Sequence, residues 1–162
     1  MKKGMILTTT LILALLFFAG SALSFKFPNF GFKGSDMPLL MPVEGIVAIP
    51  LKDINDGKAH HYQVKASDDI VVTFFVLKSQ DGVIRAAIDA CDVCYRSGKG
   101  YKQDGNDMVC QNCGQHFSSA KINVIKGGCN PAPLERKIEG QNLVIAMNDI
   151  NKNSGYCEFK KQ

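Results

Sequence analysis

Four cysteines near the middle of the chain have the spacing of metal ligands. They form two Cys-x-x-Cys pairs with fifteen residues between them: Cys91 and Cys94, then Cys110 and Cys113. The two-residue gap lets the backbone curl so that both sulfurs of a pair point at one spot, and two pairs supply four thiolates for one tetrahedral ion. The Asp104-Gly105 step between the pairs favours a tight turn. It therefore predicts a hairpin that returns the second pair beside the first.

The spacing alone does not choose the metal. Zn²⁺, a single iron ion and a small iron–sulfur cluster all accept four thiolates, and a structural zinc ribbon is the most frequent use of such a pattern. His116, three residues after Cys113, is a candidate ligand or a candidate hydrogen-bond partner of the ligands. Tyr95 and Gly114 follow the two pairs, so no Cys-x-x-Cys-His motif occurs. This excludes covalent attachment of a c-type haem.

The first residues have the features of a segment directed to the membrane. Lys2-Lys3 precede an apolar stretch over residues 5–23, and small residues follow it. A signal peptide over residues 1–24, cleaved after Ala22 or Ser24, is the first expectation. The apolar stretch is also long enough to span a bilayer as a retained anchor. In either case we expect a periplasmic or other extracytoplasmic domain, secreted or anchored to the cytoplasmic membrane by residues 5–23.

An oxidising compartment offers two other uses for the six cysteines. One is structural disulfides, although a bridge within a Cys-x-x-Cys pair closes a very small loop and adds little stability. The other is a pair of redox-active dithiols, with a reactive Cys91 or Cys110. Cys129 and Cys157 stand apart from the pairs. A disulfide between them, or one extra ligand and one bystander, both stay open.

Length and composition indicate one globular domain behind the leader. The chain has 162 residues, of which 46% are hydrophobic, enough to build a core. Outside the leader, 17 basic and 15 acidic residues are scattered, so the charge gives no indication of nucleic-acid binding. No catalytic serine arrangement, phosphate loop or carboxylate pair stands out. A non-enzymatic protein is therefore favoured over a hydrolase or a kinase.

The patterns of apolar residues predict a mostly β domain over residues 44–162, after a Phe- and Pro-rich linker at 25–43. Strands are predicted at 45–50, 60–65, 69–77, 83–90, 141–147 and 155–159, with a helical turn from 118 or 119 to 122. The strand at 69–77 is apolar throughout, which predicts burial on both faces. We therefore expect a mainly β, β-rich α+β fold. It would be one compact sheet or barrel-like domain that carries a zinc-ribbon-like or rubredoxin-like site.

Several segments together resemble the FtrD-like family of membrane-associated, iron–sulfur-type proteins. These segments are Ala90–Cys94, Lys99–Tyr101, Met108–Gly114, Phe117 and Gly127–Leu134. The resemblance extends roughly from residue 44 to residue 159. It implies metal binding by the four paired cysteines, with Cys129 as a further candidate, and an iron–sulfur cluster or a single Fe or Zn ion as cofactor. It also implies a role beside an iron permease or redox partner. Many members place this domain after several membrane helices, whereas this chain has one apolar segment.

The sequence thus predicts an exported or membrane-tethered metal protein, an electron-transfer or accessory component of iron uptake. In this interpretation Tyr95, Tyr101 and His116 control access to the metal and the polarity around it. A thiol–disulfide oxidoreductase stays open as an alternative that would be active without metal. A binding module with structural zinc, colourless and unfolded by chelators, is the other alternative.

Overall fold

A computed structural model describes residues 37–159 of the protein. These residues form ten strands in three small sheets, one short α-helix and four 3₁₀ turns. The β-rich class predicted from the sequence is confirmed. The expected leader at 1–24 and most of the expected linker lie outside the described residues.

The strands have the following bounds: β1 Leu39–Leu40, β2 Ile46–Pro50, β3 His60–Lys65, β4 Val71–Lys78, β5 Ile84–Ile88, β6 Tyr101–Asp104, β7 Asp107–Cys110, β8 His116–Ser118, β9 Lys137–Glu139 and β10 Asn142–Ala146. Helix α1 spans Met147–Lys152, and the 3₁₀ turns are Leu51–Asp53, Tyr95–Ser97, Ser119–Lys121 and Ser154–Cys157. The sheet orders are β1-β3-β4-β5, β2-β10-β9 and β6-β7-β8. Neighbouring strands are antiparallel except β1 and β3, which are parallel.

Strand β4 separates two hydrophobic cores, because successive side chains of a strand point to opposite faces of its sheet. Phe74 and Val76 belong to the main core, which also contains apolar residues of β2 and β10. Phe75 and Leu77 belong to a second core, which contains apolar residues of β6 and β7. Burial on both faces was the expectation for this strand, and it is confirmed. We call the second of these cores the metal-side core, because it contains three of the paired cysteines.

The secondary structure at both ends of the domain differs from the sequence-based prediction. The expected last strand at 155–159 is wrong, since Ser154–Cys157 is a 3₁₀ turn. The Ser154 hydroxyl donates to the Asp68 carboxylate at 2.6 Å, and the Thr73 backbone N–H lies 3.4 Å from the Cys157 sulfur. These contacts fold the segment onto β4. Near the other end, β1 extends the sheet from within the segment expected to be a linker.

Candidate metal centre

Strand β5 leads directly into the first cysteine pair. Three residues after the strand ends, the Cys91 carbonyl accepts a hydrogen bond from Tyr95 N–H at 3.1 Å. The Cys94 N–H points at the Cys91 sulfur at 3.2 Å. Both thiols therefore lie on the inside of one tight turn, where Cys91 is 1% and Cys94 is 9% exposed.

The β6–β7 hairpin brings the second pair beside the first, as the sequence predicts. Tyr101 stands opposite Cys110 in the register, and Gln111 N–H donates to the Gly100 carbonyl at 2.9 Å. Gly114 N–H donates to the Cys110 carbonyl at 2.9 Å, which repeats the turn of the first pair. Gly114 has a φ of +71°, a conformation that favours glycine. Cys110 is buried in this arrangement, whereas Cys113 is exposed.

A third segment places Cys129 at the same site. Ile88 N–H donates to the Ala132 carbonyl and Ala132 N–H to the Ala90 carbonyl, both at 2.9 Å. The chain after Cys129 therefore runs along β5 and its extension. The Tyr101 hydroxyl donates to the Cys129 carbonyl at 2.7 Å and fixes the loop from the other side.

These three segments bring five thiols into two overlapping groups. The inner group consists of Cys91, Cys94 and Cys110, and the outer group of Cys94, Cys113 and Cys129. Within each group the sulfurs all lie within 4.8 Å of one another. Sulfur ligands about 2.3 Å from a tetrahedral ion are roughly 3.8 Å apart. Each group is therefore compact enough to hold one ion, and the structure brings all five candidate cysteines together.

The protonation of these thiols differs with their burial. Burial raises the pKa of Cys110 to about 11 and also raises the pKa of Cys129. For Cys94 the hydrogen bond from the Asn112 amide lowers the pKa, but burial and neighbouring thiols outweigh it and the pKa is raised. The pKa of Cys113 is lowered, chiefly because Gln115 N–H donates to its sulfur. A bound cation would displace the remaining protons, because a coordinating thiol is deprotonated.

The donor set fits a thiolate-bound metal. Thiolates select iron–sulfur clusters, Zn²⁺ and Cu⁺ over hard cations such as Mg²⁺ and Ca²⁺. N–H groups already point at sulfurs of both pairs, those of Cys94, Cys113 and Gln115 among them. Such hydrogen bonds orient ligands and stabilise their negative charge. The residues that would hold the metal are thus prepared for it by the backbone.

Two other candidate residues lie apart from the thiol cluster. His116 is exposed on β8 and belongs to neither group; its Nδ1 lies 3.4 Å from Oδ2 of Asp107. Cys157 is buried in the main core. Cys129 packs against the metal-side core instead, so these two cysteines form no disulfide. All six cysteines lie in the described residues, and no two of them are bridged to each other.

Asp89 is a residue of the site that the sequence analysis missed. It is 5% exposed, and its Oδ1 accepts a hydrogen bond from Tyr101 N–H at 2.7 Å. Gly100 approaches the same carboxylate so closely that an added Cβ would overlap it. His61 Nε2 lies 3.8 Å from Asp89 Oδ1. The available signal was an acidic residue at the end of an apolar strand, two positions before Cys91.

Comparisons with known proteins give the class of this protein. Residues 54–157 match the family described as membrane iron-sulfur containing protein, FtrD-like. The chain belongs to the FtrD-like family, which confirms the resemblance seen in its sequence. Within residues 37–159, no helix has the length and apolar character needed to cross a bilayer.

Two further comparisons add little. A search of curated proteins finds no match. Among solved structures, the chain is similar to the quaternary ammonium Rieske monooxygenase CntA in a crystal structure with an inhibitor, at 13% identity and a TM-score of 0.42. The match covers 62% of this chain and 30% of that chain.

Proposed function

We propose that this protein binds iron in its thiol cluster and transfers single electrons in iron uptake. The observation that supports this proposal is that the thiol cluster extends from the buried metal-side core to the protein surface. Cys91 is 1% exposed, whereas Cys113 is exposed at the other end of the cluster. A metal held between them has one protected side and one side that a partner can approach.

The protected side is suited to a redox metal. Phe75 and Met108 are fully buried in the metal-side core beside Cys91 and Cys110. Such an apolar surrounding excludes water and lowers the local dielectric constant, and both affect the reduction potential of a bound metal. Hydrogen bonds to the sulfurs affect it as well.

The proposed cofactor is an iron–sulfur cluster or a single iron ion, with ligands drawn from the four paired cysteines and Cys129. When bound, such a centre supplies reversible one-electron oxidation and reduction. The two pairs, carried by similar turns and joined by a hairpin, support a rubredoxin-like or zinc-ribbon-like arrangement. The family description supports iron over zinc.

The proposal also includes a location and a partner. We place the domain outside the cytoplasm, released after signal cleavage or tethered through residues 5–23, beside an iron permease or a redox partner. The apolar stretch of the sequence and the membrane description of the family support this location. Cell fractionation with mass determination of the mature chain tests it, and an intact chain in the cytoplasmic fraction would contradict it.

The test of the function is the visible spectrum and metal content of the full chain purified without oxygen. We expect a coloured, iron-containing protein that is bleached by a reductant and recovers on reoxidation. Cys91→Ser should lose the colour, whereas Cys157→Ala, in the main core, should keep it. A colourless protein with zinc would contradict iron binding in favour of a structural module. Metal-free protein with reducible disulfides would favour dithiol exchange instead.

A further inference from the structure

We infer that the thiol cluster has two metal positions that share the sulfur of Cys94. This inference rests on the proposed function, because it requires that the thiols bind metal. It specifies how many ions bind and which thiols bind each of them. The inner position is formed by Cys91, Cys94 and Cys110, and the outer position by Cys94, Cys113 and Cys129.

The sulfurs form two overlapping groups of three. In each group the three sulfurs lie within 4.8 Å of one another, whereas the five clustered thiols taken together do not. A tetrahedral ion takes four ligands, so a single ion would leave at least one of the five thiols without metal. Cys94 belongs to both groups. A thiolate sulfur carries enough lone pairs to bridge two soft cations, and Cys94 is the sulfur placed to do so.

The charge of the cluster also favours two ions. Once a metal has displaced the protons, five thiolates carry five negative charges at the edge of an apolar core. One divalent ion bound by four thiolates would leave two negative charges uncompensated, whereas two ions bound by five thiolates would leave one. Uncompensated charge next to a buried apolar core is costly. A second ion reduces that cost.

The position of Cys129 is held by contacts on both sides. The Tyr101 hydroxyl binds its carbonyl at 2.7 Å, and the Asn130 side chain donates to the Gly127 carbonyl at 2.9 Å within the same loop. Beyond the loop, Ala132 is hydrogen-bonded to Ala90, one residue before the first pair. The loop is therefore tied to the elements that carry the inner group, and Cys129 is placed at the cluster by the fold.

The two positions differ in exposure, which predicts an order of filling. Cys91 and Cys110 are 1% and 2% exposed, so an ion in the inner position is shielded from water. Cys113 is exposed and Cys129 partly exposed, so an ion in the outer position is open to solvent and to chelators. We expect the inner ion to bind first and the outer ion to exchange first.

Cadmium titration of the metal-free, reduced full chain tests the inference. Cd²⁺ is a soft probe that binds thiolates, its thiolate charge-transfer absorption reports binding, and native mass spectrometry counts the ions. We expect two Cd²⁺ per chain. With ¹¹³Cd, NMR should show two signals, each split by coupling to the other through the shared sulfur of Cys94.

Variants separate the two positions. Cys129→Ser should reduce the stoichiometry from two ions to one and abolish the coupling, while Cys157→Ala should keep two. Tyr101→Phe, which removes the hydroxyl that binds the Cys129 carbonyl, should weaken the second ion about tenfold.

One Cd²⁺ per wild-type chain, two uncoupled signals, or two ions retained in Cys129→Ser would each overturn the shared-sulfur centre while leaving metal binding intact. Absence of any Cd²⁺ binding would overturn the proposed function as well.

Discussion

Asn112 contacts the cluster from within the second cysteine pair. Its side-chain amide lies 3.4 Å from the sulfur of Cys94, the thiol shared by both groups. The neighbouring Gln111 donates its side-chain N–H to the Val109 carbonyl instead, at 3.2 Å. Asn112 and Gln111 are adjacent and both exposed, but only the Asn112 amide is within hydrogen-bond distance of a candidate metal ligand.

Removing the Asn112 amide should weaken metal binding. We expect Asn112→Ala to lower the affinity for the bound metal by about tenfold, because hydrogen bonds to ligands orient them and stabilise their charge. Competition with a chromophoric chelator measures this affinity. Gln111→Ala is the matched control and should leave it unchanged. An equal loss in both variants would show that the contact to Cys94 is unimportant.

The Asp81 carboxylate, which forms an ion pair with Arg85, gives a prediction of how stability depends on pH. Arg85, which is 6% exposed, donates to the Asp81 carboxylate at 2.6 Å, to Ser79 Oγ and to the Ile122 carbonyl. The hydrogen bond from Ser79, together with that from Arg85, lowers the pKa of Asp81 to about 2. A lowered carboxyl pKa contributes stability that is present above the unfolded-state pKa and is lost as pH falls through the folded-state value.

Asp81→Asn should therefore destabilise the protein at neutral pH, and its difference from wild type should shrink between about pH 4 and pH 2. Urea unfolding of both proteins across this range measures the difference. Glu139→Gln, on the exposed strand β9, is the control for a general loss of negative charge. A difference that stays constant down to pH 2 would contradict the role given to Asp81.

At the scale of elements, the β6–β7 hairpin is attached to β5 through Asp89. Gly100 precedes β6 with a φ of +69°, and an added Cβ there would overlap the Asp89 carboxylate. Gly105, in the turn of the same hairpin, has a φ of +55° and no neighbour within 4 Å of an added Cβ. Both glycines have a positive φ, which disfavours a side chain, but only Gly100 lies against a neighbouring group, the Asp89 carboxylate.

Alanine substitutions at Gly100 and Gly105 should distinguish the cost of backbone strain from the cost of steric overlap with Asp89. Gly105→Ala should cost about 1 kcal/mol, because the positive φ disfavours a side chain. Gly100→Ala should cost about 1–3 kcal/mol more, because Asp89 must also move. It should weaken metal binding too, since the hairpin positions the second cysteine pair. Thermal unfolding and metal titration check both effects. Equal costs would mean that the approach to Asp89 does not constrain the hairpin.

The elements that could be predicted are those determined by local residues. An Asp-Gly step defines the hairpin turn, Gly114 permits the second cysteine turn, and the apolar run of β4 indicates burial on both faces. The sequence predicts a strand at 155–159, where the structure has the 3₁₀ turn Ser154–Cys157, because a short apolar run does not distinguish a strand from a 3₁₀ turn. Its contacts with β4 and Asp68 decide its conformation, and these contacts are distant in sequence.

In the candidate site, too, the features set by local residues can be predicted from the sequence, and those set by distant contacts cannot. The four paired cysteines follow from their spacing, but the position of Cys129 depends on the hydrogen bonds between Ala132 and the extension of β5. The role of Asp89 depends on the approach of Gly100. Neither non-local contact leaves a periodic pattern in the sequence, so the division of the thiols into two groups emerges only from the fold.

At the scale of the whole molecule, two cores share one strand, and adjacent residues of β4 serve different functions. Phe74 lies in the main core and Phe75 in the metal-side core, where its ring centroid is 6.2 Å from that of Tyr101. Tyr101 in turn holds the Cys129 loop. The candidate metal site therefore rests on one face of the sheet, while the other face belongs to the main core.

Phe74→Leu and Phe75→Leu should each cost roughly 1–2 kcal/mol of unfolding free energy, because both side chains are fully buried. Only Phe75→Leu should also lower metal affinity, since the cavity it creates lies beneath the cluster. Chemical denaturation and metal titration of the two variants make the comparison. Matching metal affinities would contradict the separation of the two cores.

X-ray absorption at the iron edge, measured on the full chain purified without oxygen, shows directly whether the clustered thiols bind iron. We expect iron surrounded by sulfur, at distances typical of thiolate ligation, with no nitrogen or oxygen ligand from the protein. Iron bound mainly by nitrogen or oxygen would contradict this expectation, and so would iron whose sulfur shell is unchanged in Cys91→Ser/Cys110→Ser.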